Sequence, residues 1–139
     1  MIPQFNQDGY LPVGIHKATQ DEIKIRFGTG SNQRIMLFKR FVKLLKLLKK
    51  QSKHIKLFLL NGSFVYNIDS SNDLDCILVL KKDFDYCSPE SHLLSQTKKV
   101  YHTHLFTFDE EDESGYKGIL DFFCSDREGN PKGILEVLL

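Results

Sequence analysis

Residues 59–80, LLNGSFVYNIDSSNDLDCILVL, decide how this chain folds. The apolar run 55–60 leads into Asn61-Gly62-Ser63. The polar turn Asp69-Ser70-Ser71-Asn72 then leads into Asp73-Leu74-Asp75 and a second apolar run, 76–80. That order reads as a strand ending in a Gly-Ser turn, a short connection, and a second strand that opens on two carboxylates. Alternation along a strand puts Asp73 and Asp75 on one face, with Leu74 and Cys76 on the other. Two like charges held side by side at the mouth of a buried strand repel each other. A divalent cation between them is the main reason a fold keeps such a pair.

With 139 residues the chain suits one domain, 1–139, with a single core. A hydrophobic content of 41% with dispersed charges reads as globular rather than disordered. The formal net charge of +1 gives no global pull toward nucleic acid or anionic lipid. Cys76, Cys87 and Cys124 form no C-x-x-C pair, and two of them fall in expected strands, which reads as reduced thiols in a cytoplasmic protein. No apolar run reaches membrane-spanning length and no signal pattern opens the chain, so no membrane partner is expected.

Outward from the central stretch, residues 1–17 read as an extended, turn-rich arm whose Ile2, Phe5, Tyr10, Leu11 and Ile15 can pack it onto the domain. Thr19 with Glu22 makes a capping box for a helix through about Phe27. Gly28-Thr29-Gly30 breaks it, and Ser31 or Asn32 caps a long helix to about Gln51. Leu37, Phe38, Phe41, Val42, Leu44, Leu45 and Leu48 form its apolar face, and Lys39, Lys43, Lys46 and Lys50 a stripe on another. A domain this small needs that apolar face for its own core, so the lysines read as a solvated face rather than a membrane or phosphate ridge.

Further along, Ser88-Pro89-Glu90 starts a helix expected to end near Lys99. Residues 100–108 alternate as a strand, with His102, His104, Phe106 and Phe108 on one face. The acidic run 109–113 reads as a loop, residues 116–124 as another strand, and residues 131–139 as a short C-terminal helix or, alternatively, a strand. The expected fold is one α/β (α+β) unit: a mixed, twisted sheet flanked by helices that lie mostly on one face.

Gly62-Ser63, nine intervening residues, Asp73-Leu74-Asp75 and an apolar run resemble the signature of the nucleotidyltransferase superfamily, with its small bacterial minimal nucleotidyltransferases nearest in size. That family carries a third carboxylate on a later strand; the match is Asp121 in Gly118-Ile119-Leu120-Asp121-Phe122-Phe123. The opening FNQDGYLPVGIHKAT (5–19), with NGSFV and NDLD, is also similar to an uncharacterised bacterial subgroup. The resemblance implies a nucleotidyltransferase-like sheet and Mg²⁺- (or Mn²⁺-) dependent transfer of an NMP from NTP, ATP first, to a hydroxyl on a protein, RNA or small molecule. It also implies toxin–antitoxin or phage-defence settings with a partner protein.

In that chemistry Gly62 permits a turn close to phosphate, and Ser63 opens a short helix whose N–H groups and hydroxyl bind oxyanions. Asp73 and Asp75 hold the metal, while Asp121 completes a second metal position and can take the acceptor's proton. Where many members carry an Arg and a further Gly after the Gly-Ser, this chain has Phe64, Val65 and Asn67, leaving Arg34, Lys81 or Lys82 as substitutes. The alternative is a catalytically degenerate module of the same fold that binds a nucleotide or a partner. Read on its own, His102-x-His104 has zinc-ligand spacing but lacks a third ligand, so a packed pair is the simpler reading. Cys76 and Cys124 lack the basic neighbours a thiolate nucleophile needs.

Overall fold

The computed structural model describes residues 1–67, 71, 73–97, 99 and 103–139. Part of the turn before Asp73, including Asp69, Ser70 and Asn72, lies outside the described residues, as does His102.

Five strands form one mixed sheet in the order β1-β5-β2-β3-β4: β1 (Ile15–Ala18), β2 (Ile55–Asn61), β3 (Leu74–Leu80), β4 (Thr103–Asp109) and β5 (Ile134–Val137). The two strands of the central stretch pair antiparallel, with Leu60 opposite Cys76 and Asn61 opposite Asp75. β3 and β4 run parallel, with Asp75 level with His104. β5 pairs antiparallel with β2 and parallel with β1. β2 therefore ends where β3, β4 and β5 begin, and that end of the sheet carries Asn61, Gly62 and Ser63 together with Asp73 and Asp75.

Helix α1 (Gln20–Phe27) starts on the expected capping box: Thr19 Oγ accepts from the Glu22 N–H and the Glu22 carboxylate accepts from the Thr19 N–H. Helix α2 (Asn32–Lys49) is capped by Ser31 and ends a turn before Gln51. Its Leu37, Phe41, Leu44, Leu45 and Leu48 are buried in the main core with Phe58, Leu78 and Leu135. Lys39, Lys43 and Lys46 lie exposed on the outer side, as a solvated face requires. Helix α3 (Pro89–Leu94) has the expected Ser88 cap, and after a turn at Ser95 and Gln96 the backbone is helical again at Thr97 and at Lys99, where the helix was expected to end. No helix among the described residues is long and apolar enough to cross a membrane.

Three expectations are corrected. Residues 116–124, expected as a strand, belong to helix α4 (Glu113–Phe123), capped by Asp112, with Cys124 as its C-cap. Tyr116, Ile119, Leu120 and Phe123 fall at helical spacing, and all four pack onto the second face of the sheet around Leu59, Ile77, Val79 and Ile134. The C-terminal segment, read first as a helix, forms β5, because there it satisfies two neighbouring strands at once. The arm is extended as expected but ends as β1, whose Ile15 lies beside Ile134.

Candidate functional site

The polar end of the sheet is built by register. Residues opposite one another on paired strands share a face, so Asn61, Asp75 and His104 form a row across β2, β3 and β4. The row continues the face that carries Leu59, Ile77 and Phe106, just past where helix α4 covers it. Asp73 lies one pleat further out. His104 sits between the acids, with Nε2 3.8 Å from Asp73 Oδ2 and Nδ1 3.8 Å from Asp75 Oδ1. Side-chain exposure falls from 51% at Asp73 to 24% at Asp75. Burial is the main cause that raises the Asp75 carboxyl above its ordinary range; Asp73 adds to the rise and His104 opposes it.

Gly62 is required at its position. Its φ of 80° is one L side chains rarely adopt, and a Cβ there would run into the Asp75 carboxylate, with Cγ only 3.0 Å away. The bend and the acidic strand are laced together by hydroxyls. Ser63 Oγ and the buried Ser71 Oγ are 2.9 Å apart, and Ser71 Oγ donates to the Asp73 carbonyl at 3.4 Å. After Ser63 the chain makes a single 3₁₀ turn, Ser63–Val65. Buried Arg34 clamps it from α2, donating to the carbonyls of Phe64 and Tyr66 at 2.7 Å each and of Phe27 at 3.3 Å.

Asn61 is fully buried, yet among the described residues neither its Oδ1 nor its Nδ2 has a hydrogen-bond partner. An unsatisfied buried amide costs on the order of 1–3 kcal/mol, so folds retain one chiefly where a water, an ion or a ligand completes it. Beside Asp73 and Asp75, its carbonyl oxygen adds a third hard donor. These oxygens suit a small hard cation that takes one or two carboxylates and fills its shell with water and substrate phosphate. They do not make a closed cage. Among the described residues, no three His, Cys, Asp or Glu side chains are arranged to hold a metal ion by themselves.

The remaining expected site residues lie apart. Asp121 is exposed and sits on α4 instead of a strand, and it is not grouped with Asp73 and Asp75 around a common ion position. On β4, the strand beside β3, the position level with Asp75 holds His104 in place of a carboxylate. Arg34 is committed to backbone carbonyls. Lys82 pairs with Glu111 at 2.7 Å beyond the opposite end of β3, roughly 20 Å of strand from the acids. Lys81 is its exposed neighbour. Cys76 is buried and its thiol is pushed up by burial, as is that of Cys124, so neither is a ready nucleophile. Sequence reading missed Asn61 and gave His104 a different role. Alternation had placed His104 on the Phe106 face, but only the β3–β4 register brings it to the acids.

A family model described as a family of unknown function, DUF6932, matches residues 3–138. No curated protein and no solved structure matches the chain.

Proposed function

The chain belongs to this family, DUF6932, along nearly its whole length, and we propose that it is a Mg²⁺-dependent nucleotidyltransferase acting from the polar end of its sheet. The observation that carries this reading is the orphaned Asn61 amide, in one row with Asp75 and next to Asp73. A buried acceptor beside two mutually repelling carboxylates asks for a cation, and an uncapped magnesium shell asks for phosphate.

In this reading Asp73, Asp75 and the Asn61 carbonyl oxygen would hold the metal. When bound, Mg²⁺ neutralises triphosphate charge at the α-phosphorus. Gly62 lets the backbone approach the substrate without a side chain in the way. His104, its ring nitrogens facing the acids, takes the proton from the acceptor hydroxyl. The acceptor oxygen bonds to the α-phosphorus, the bond from that phosphorus to the β-phosphate bridging oxygen breaks, and pyrophosphate leaves with the electron pair. The acceptor is a hydroxyl of a protein, an RNA or a small molecule, and a toxin–antitoxin or phage-defence setting would supply a protein or RNA. A cytoplasmic setting with reduced thiols belongs to the same reading.

A degenerate nucleotide- or partner-binding module is the second reading, favoured by the exposed, helical position of Asp121 and by the commitment of Arg34 to carbonyls. Incubation with α-labelled NTPs, Mg²⁺ and RNA or lysate separates the two. Transfer of label that falls at least about a hundredfold in Asp73→Asn supports the enzyme. Nucleotide binding without transfer supports the module, and transfer untouched by Asp73→Asn removes the site.

A further inference from the structure

Lys132 stands out among the described lysines. It is only 9% exposed, yet it makes no ion pair among the described residues, and burial alone pulls its ammonium below the ordinary lysine range. Its Nζ donates to the Tyr66 hydroxyl and lies 4.7 Å from the centre of the Tyr66 ring. An ammonium has three donors, so the bond to Tyr66 leaves capacity for further partners, and Lys132 lines an open space. That space is a cleft of about 450 Å³, lined by Tyr66, Phe122, Phe123, Asp126, Arg127 and Lys132 among others. A cleft of this size fits a small-molecule ligand.

Its charged lining is cationic on balance. Asp126 is the acid of the lining, but its Oδ1 accepts the N–H groups of Glu128 and Asn130, and its Oδ2 accepts from the Tyr10 hydroxyl and the Asn130 amide. These bonds tie the carboxylate back while it stays charged, and Lys132 with exposed Arg127 at the rim sets two cations against that one anion. Phe122, 72% exposed at the end of α4, offers an open ring face. The cleft adjoins the acidic row: Tyr66 follows the Gly62-Ser63 bend, and the Phe123 ring lies 5.7 Å from that of Phe106, two residues along β4 from His104.

We propose that this cleft is an anion site for a phosphate ester bearing an aromatic ring, with the phosphoryl group on Lys132 and Arg127 and the ring against Phe122. The nucleotide as ligand rests on the function proposed above; the site itself does not depend on Asp73 and Asp75. Buried ammonium groups without a carboxylate are costly, and a phosphate dianion repays that cost through charge-assisted hydrogen bonds.

The test is calorimetric titration of the full chain in EDTA with AMP, adenosine and pyrophosphate. AMP should bind without metal and adenosine should not. Lys132→Gln should weaken AMP binding about tenfold or more. Phe122→Ala, a surface change that leaves the core intact, should weaken AMP about fivefold and leave pyrophosphate unchanged. The Asp73→Asn/Asp75→Asn pair should leave AMP binding in EDTA as it was. Adenosine binding as tightly as AMP, no AMP binding in EDTA, or indifference to both Lys132→Gln and Phe122→Ala would overturn the proposal. Label transfer with Mg²⁺ but no AMP binding in EDTA would sink the cleft and spare the acidic site. The reverse outcome would spare the cleft alone.

Discussion

Asn61 and Lys132 belong together as polar side chains whose burial the described residues around them do not repay. Neither was legible in the sequence, for related reasons. Asn61 reads as the polar end of a strand, and its burial follows from the place of β2 between β3 and β5 in the sheet. Lys132 reads as one more surface lysine, because its burial depends on Tyr66, 66 residues away, meeting the turn that follows α4. Asp73, Asp75 and Gly62, by contrast, were legible, since alternation and glycine's freedom at positive φ are local rules. The Lys132 account has a pH consequence. Burial lowers the folded-state pKa below the unfolded value of 10.5. Between the two values the unfolded chain binds more protons, so stability rises with pH across that window and the cost is fully present below the folded pKa. Lys132→Met should therefore be more stable than the natural protein at neutral pH, on the order of 1 kcal/mol. The gap should close as pH climbs toward the unfolded value. Urea titrations of both proteins at stepped pH check this, and a gap that widens with pH would contradict the assignment.

Helix α4 is the element where sequence and structure part, and the reason is chemical. Gly118-Ile119-Leu120-Asp121-Phe122-Phe123 is so apolar that it imitates a buried strand. The contacts to the sheet come from Tyr116, Ile119, Leu120 and Phe123, an i, i+3, i+4, i+7 series that carries the correct signal when the window is extended upstream. The long α2 and the capped start of α1 were legible because their windows were long or their caps explicit. β5 was legible only as an alternative, since four residues carry too little periodicity to choose an element. The orientation of α4 makes a sharp contrast between neighbours. Phe123 is buried against the Phe106 ring, so Phe123→Ala should cost about 3 kcal/mol. Asp121 is exposed, so Asp121→Asn should change stability by less than about 0.5 kcal/mol. Paired urea unfolding curves measure both. A large loss from Asp121→Asn would mean that the carboxylate is engaged inside the fold and would restore the sequence expectation of a buried third acid.

Across the whole molecule, the two ends of the described chain close the sheet on each other. β1 lies parallel to β5, the Leu138 N–H donates to the Ala18 carbonyl, and the Gly133 N–H to that of Leu11 at 2.8 Å. The arm before β1 then runs on over the core, burying Ile2 and Leu11. It also reaches both candidate sites. The Asn67 N–H, just past the Gly-Ser bend, donates to the Gly9 carbonyl, while the Tyr10 ring lies 4.7 Å from that of Tyr66 and its hydroxyl holds Asp126. Sequence showed that the arm had apolar residues to bury but not where, because packing between segments over a hundred residues apart leaves no local pattern. Losing two buried aliphatic side chains costs roughly 4 kcal/mol or more, a large share of the ~7–20 kcal/mol expected for a domain of this size. Deleting residues 1–14 should accordingly lower the urea midpoint sharply and abolish AMP binding in EDTA, since the arm packs the Tyr10 ring on that of Tyr66 and its hydroxyl ties back the Asp126 carboxylate. Tyr10→Phe separates the two effects: it keeps the ring and removes only the bond to Asp126. It should leave the midpoint within about 1 kcal/mol of the natural protein while weakening AMP, because a carboxylate released into the cleft competes with phosphate for Lys132. Unchanged AMP binding in Tyr10→Phe would mean that Asp126 keeps its place through Asn130 and the 128–130 backbone alone, leaving the arm a purely structural part.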